Sequence, residues 1–160
     1  IKPAWSNGPH RELLGFYQGI PVLRHGWDTG ARTPYGEAYQ CVEFVNRFYA
    51  EVLGHRNLVR TGHADSYFYQ AQAKGLQRFE NGGITPPQID DILVFDPPGQ
   101  DDQHPGHVGI VYQVTDRKVC LVQQNMVPWY GCLSLTKREN TYQVGAISQD
   151  LPCLGWARKR

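Results

Sequence analysis

The hydrophobic pattern changes character along the chain. Cys41, Val45, Phe48, Tyr49 and Val52 recur at three- and four-residue steps, the period of one apolar face of an α-helix. Gly54 follows as a C-cap, so a helix is predicted from Ala38 or Tyr39 to Leu53. A second helix is predicted to start after Asp65, a good N-cap residue, and to end near Gly75. Beyond Pro86 the pattern becomes strand-like. Ile92–Phe95, His107–Val114 and Val119–Gln123 are short apolar runs, and Thr115–Lys118 between the last two has the length of a hairpin connection. Further strands are predicted around Gln143–Ile147 and Leu154–Ala157. The first 37 residues are dense in glycine and proline, which predicts an irregular leader with a short strand at Pro21–Leu23. Helices followed by an antiparallel sheet define an α+β fold with N-terminal helices packed on the sheet.

Length and composition narrow this picture. The 160 residues fit one domain spanning 1–160. Lys+Arg number 16 and Asp+Glu 15, so the basic footprint of a nucleic-acid binder is missing. No apolar run approaches the roughly 20 residues that cross a bilayer, and no membrane partner is expected. The sequence begins with Ile1 rather than Met, as it would after removal of an upstream signal peptide or after trimming by a cloner. Of the four cysteines, no two have CxxC spacing, so a zinc ribbon or thioredoxin-type motif is not expected. Cys120, in the run Val119–Val122, reads as a buried apolar residue. Cys132 and Cys153 lie near turns, with their pairing open.

The candidate chemistry centres on Cys41 at the start of the first helix. A thiolate there feels the helix dipole and unpaired backbone N–H groups, which lower its pKa. Read alone, Cys41 fits better as a small core residue sharing a face with Val45. His107 opens a strand, a rigid mount for a general base. Gln123 and Asn125 follow at the polar end of the next strand, where either amide could orient the imidazole. Residues two apart in a strand point to one side, so both could face His107. Gln40 and the backbone N–H of Cys41 are candidates for an oxyanion hole. His10, His25, His55 and His63 have no partner pattern. His104 stands three residues before His107, but Pro105-Gly106 prevents helical i,i+3 geometry, so no metal site is expected.

Together the segments Tyr39-Gln40-Cys41-Val42-Glu43-Phe44, Asp91–Phe95, Gly106-His107-Val108-Gly109-Ile110-Val111 and Gln123-Gln124-Asn125 resemble the CHAP family, the cysteine- and histidine-dependent amidohydrolases and peptidases. Within it the sequence is most similar to amidase domains of the glutathionylspermidine synthetase/amidase type. That likeness includes Leu14-Gly15-Phe16, Gly19–Val22 and Leu154-Gly155-Trp156. The resemblance implies a papain-like (NlpC/P60-like) fold, with the cysteine on a helix and the histidine on the sheet. It also implies acyl transfer through a thioester to water, on a peptide or amide substrate and without a cofactor. Two departures stand out. Gln123 occupies the family's usual glutamate position, and a neutral amide stabilises an imidazolium less than a carboxylate does. Glutamate at 123 is therefore expected to keep or raise activity. Asn46-Arg47 replaces the two basic residues usual in the amidase-like relatives, leaving Arg47 as the candidate substrate-binding cation. The expected substrate is a bacterial cell-wall peptide, with a glutathionylspermidine-type amide as the alternative and a catalytically dead binding module as the reading from another class. An extracytoplasmic location fits the first of these; a protein partner or inhibitor is left open.

Overall fold

The structure is a computed structural model describing residues 13–23, 32–37, 40–55, 63–98, 106–126 and 128–160. In chain order these form β1 (Leu13–Tyr17), β2 (Ile20–Leu23), β3 (Arg32–Thr33), β4 (Gly36–Glu37), α1 (Cys41–Glu51), α2 (Ser66–Tyr69), a 3-10 turn (Gln72–Lys74) and β5 (Leu76–Glu80). Then come β6 (Ile92–Phe95), β7 (His107–Val114), β8 (Lys118–Val122), β9 (Tyr130–Arg138), β10 (Thr141–Val144) and β11 (Cys153–Lys159). The seven strands β5–β11 make one antiparallel sheet in the order β10-β9-β8-β7-β6-β11-β5. The pairs β1–β2 and β3–β4 are separate hairpins.

The unbroken apolar run of β6 has a direct cause: both faces of the sheet are covered. Ile92 and Val94 join Phe44, Val45, Phe48 and Tyr49 of α1, Tyr67 of α2, and Val108, Ile110 and Val122 in one core. Leu93 and Phe95 point the other way, into a second core with Val111, Leu121, Leu135 and Trp156. Trp156 and all four residues of β6 have no exposed surface. Burial of side chains this large is worth roughly 1.5–3 kcal/mol each.

Several expectations need correction. Among the described residues four short strands precede α1, so helices do not lead the fold. Of the helices among the described residues only α1 exceeds four residues, and the sheet dominates. Gln40 is extended (φ −78°, ψ 162°), which makes Cys41 the first helical residue and starts α1 later than predicted. The second helix stops after Tyr69. Gln70 leaves helical geometry (φ −117°, ψ 28°), the Ala71 N–H reaches back only to the Phe68 carbonyl, and the chain tightens to a 3-10 turn. Gly75, at φ 73°, ends this segment where the sequence placed the stop. Cys120 is buried, but as half of a disulfide: the β8–β9 register sets it opposite Cys132, to which it is bonded. Cys153 is a buried thiol, pushed up to about 12 by burial against the weaker pull of its bond to the Gly155 carbonyl.

Candidate active site

The beginning of α1 packs on the beginning of β7. Cys41, half-buried, lies against the same core as Val108. Burial pushes its thiol above the ordinary value, and the backbone N–H groups of Val108, Val42 and Cys41 itself pull the other way without overcoming it. The helix start therefore does not deliver a resting thiolate, contrary to the dipole argument. Desolvation of the sulfur outweighs the three amide N–H groups.

His107 is the first residue of β7 and stands opposite Phe95 of β6, with ring centroids 6.2 Å apart. Gly106 before it has φ 78°, and a Cβ there would strike the Phe95 carbonyl, so only glycine lets the strand begin here. The imidazole is buried, 4% exposed. Its Nε2 lies 2.7 Å from Oε1 of Gln123. Burial lowers its pKa to about 4, although the Gln123 bond opposes this. The thiol and the imidazole are thus both neutral at rest, and they are not hydrogen-bonded to each other among the described residues. Such bonds commonly tighten only when substrate binds.

Three consecutive residues after β8 tie the parts together. Gln123 holds His107, and its own Nε2 donates to the Pro128 carbonyl at 2.9 Å. Gln124, with no exposed surface, fills all its hydrogen-bonding capacity. Its Nε2 donates to the Gln40 carbonyl (3.0 Å) and to Glu43 Oε1 (3.1 Å). Its Oε1 accepts from the Leu23 N–H (3.0 Å) and from Arg47 Nη2 (3.2 Å). Asn125 has a left-handed backbone, φ 63°, and donates to Gln40 Oε1. The alternation expected of a strand thus ends at Val122, and Gln123, not Asn125, meets the imidazole.

Arg47 is committed elsewhere. Its Nε donates to Glu43 Oε2 at 2.9 Å, Nη1 to the Pro21 carbonyl at 2.7 Å, and Nη2 to Gln124. It ties α1 to β2 rather than presenting an open cation to a ligand. His55 bonds the Lys74 carbonyl and His63 lies at the start of the α2 turn. His10, His25 and His104 lie outside the described residues. No group of three or more His, Cys, Asp or Glu suited to a metal occurs among the described residues. Sequence reasoning missed Gln124 and Pro128. The run of three polar residues closing a buried strand was the available signal for the first; nothing in the sequence marked a main-chain carbonyl.

Comparison with known families gives one match. The CHAP domain profile matches residues 30–125, which contain Gln40, Cys41, His107, Gln123 and Asn125, and the chain belongs to the CHAP family. Domains of this family are generally hydrolytic amidases or peptidases, often acting on peptidoglycan, and the family implies a papain-like fold. A search of curated proteins finds no match to the chain.

Proposed function

We propose that this chain is a thiol amide hydrolase in which Cys41 attacks and His107 takes the thiol proton. The observation that carries this reading is the Nε2–Oε1 bond between His107 and Gln123 (2.7 Å). It engages Nε2, so in this reading Nδ1 is the nitrogen that takes the thiol proton. Transfer of the Cys41 proton to Nδ1 creates the thiolate as it attacks the carbonyl, so no resting ion pair is required. The oxyanion is received by the backbone N–H of Cys41 and the amide nitrogen of Gln40, whose oxygen end is turned to Asn125. Collapse expels the amine with the imidazolium proton and leaves a thioester, which water then hydrolyses with His107 as base. Asn125 serves by holding Gln40, and Arg47 by fixing α1 through Glu43 and Gln124.

Bacterial cell-wall peptides are the substrate this reading favours over a glutathionylspermidine-type amide. The Cys120–Cys132 disulfide supports that choice, because such bonds persist in oxidising compartments outside the cytoplasm. The test is incubation of the chain with peptidoglycan and, separately, with glutathionylspermidine, followed by mass spectrometry. Released stem-peptide fragments from the first with little spermidine from the second are expected. Efficient spermidine release beside inert peptidoglycan overturns the substrate, and inert mixtures of both overturn the activity.

A further inference from the structure

The side chain at 123 sits between two groups of different character. On one side is a ring nitrogen, which can donate or accept. On the other is the Pro128 carbonyl, which can only accept. Because that carbonyl lies 2.9 Å from the Gln123 side chain, the NH2 end must face it, and the amide oxygen is thereby turned to His107. An amide oxygen also only accepts, so the hydrogen must sit on His107 Nε2. The chain of assignment runs from a main-chain carbonyl, through one amide, to the base. The residue after that carbonyl is itself held. The Gln123 N–H donates to the Trp129 carbonyl at 2.8 Å, and the Trp129 indole lies against Gly15 of β1. A Cβ on Gly15 would come within 2.6 Å of Trp129 Cη2 and 3.1 Å of Cε2.

From this geometry we infer that the Pro128 carbonyl is a positioning group that assigns the His107 proton, and that this chain requires an amide, not a carboxylate, at position 123. The inference rests on the proposed role of His107 and goes beyond it. An ionised glutamate at 123 would set an oxygen against the Pro128 oxygen, two acceptors at hydrogen-bond distance in a buried site. It could be accommodated only when protonated, its O–H donating to Pro128 and its other oxygen accepting from His107. Gln123→Glu is then a faithful copy of the wild type at mildly acidic pH and a poor one at neutral pH, the reverse of what a stronger carboxylate partner for His107 would produce.

The experiment uses the full chain. Nitrogen-15 NMR of the wild type at pH 7 reads the His107 tautomer, and thermal unfolding of wild type and Gln123→Glu is followed from pH 5 to pH 8. The expected wild-type state is protonated Nε2 with bare Nδ1. The expected Tm gap is small at pH 5 and opens to roughly 3–10 °C by pH 8, with His107 neutral in both proteins. A Gln123→Glu protein carrying an imidazolium at pH 7, with Tm equal to or above wild type, overturns the inference. So does an Nδ1–H tautomer in the wild type, which keeps the test decisive if the variant fails to fold. Neither readout needs a substrate. A failure of the hydrolase reading shows instead as wild-type protein with the expected tautomer and no cleavage products.

Discussion

Burial of His107 as a neutral ring couples folding to pH, and the coupling can be isolated. The imidazole titrates at about 4 in the folded protein and at about 6.5 when unfolded. Between those values the unfolded chain binds the extra proton, so stability is present above the unfolded pKa and is lost as pH falls toward the folded one. A displacement of this size corresponds to about 3 kcal/mol accumulated between pH 7 and pH 4. Other groups also titrate there, so the measured quantity is the difference between wild type and His107→Ala. The alanine variant has a fixed cost from the cavity and from Gln123 left short of a partner, and this cost does not vary with pH. Only the His107 contribution does. Urea unfolding at pH 7, 6, 5 and 4 should show the variant's deficit shrinking by about 3 kcal/mol toward acid, and even reversing. A deficit constant within about 0.5 kcal/mol across that range, or one that grows on acidification, refutes the buried-neutral assignment.

Other outcomes follow from the same geometry. Alkylation of Cys41 by iodoacetamide should rise through a single step lying above the ordinary thiol range, because burial holds the thiol protonated; a rate plateau already reached at pH 6 would signal a resting thiolate. Cys132→Ser opens the Cys120–Cys132 bond, whose sequence separation is 12, and chain-entropy reasoning gives a loss of about 3 kcal/mol. That corresponds to a Tm lower by roughly 6–12 °C, and an unchanged Tm in calorimetry contradicts a closed disulfide in the wild type. Gln124→Leu removes one hydrogen-bond partner from each of Gln40, Glu43, Leu23 and Arg47 at once. The cost should be on the order of 3 kcal/mol in denaturant unfolding, with hydrolysis falling further than saturation of substrate can restore; stability within 0.5 kcal/mol of wild type, on the scale of an ordinary surface change, would show that the network is dispensable.

The parts of the fold with a single clear period were legible in the sequence. Val45, Phe48 and Tyr49 announced α1, and the apolar runs of β6, β7 and β8 announced the sheet centre, because each is buried against matching apolar partners. β9 was not legible. Its residues Tyr130–Arg138 are mostly exposed, so it carries little hydrophobic signal and is held by pairing with β8 and β10. The same pairing made the disulfide, which no spacing rule for Cys120 and Cys132 reveals. At the site, Cys41, His107 and Gln123 stood out as residue types in order along the chain. What escaped was direction. Asn125 turns away because of a left-handed backbone, Arg47 is drawn inward by Glu43 and the Pro21 carbonyl, and the Cys41 thiol is governed by enclosure rather than by the helix end. Each depends on neighbours far away in sequence.

The central claim is that Cys41 forms a covalent acyl intermediate. It is tested most directly by quenching the chain in acid during turnover of cell-wall peptide and mapping adducts by mass spectrometry. The account predicts one acyl group, carried on the peptide containing Cys41, and a Cys41→Ala protein that folds normally, carries no adduct and retains less than about 1% of wild-type hydrolysis. Cys41→Ala turning over at a substantial fraction of the wild-type rate, or an adduct mapped to Cys153 in place of Cys41, would contradict it.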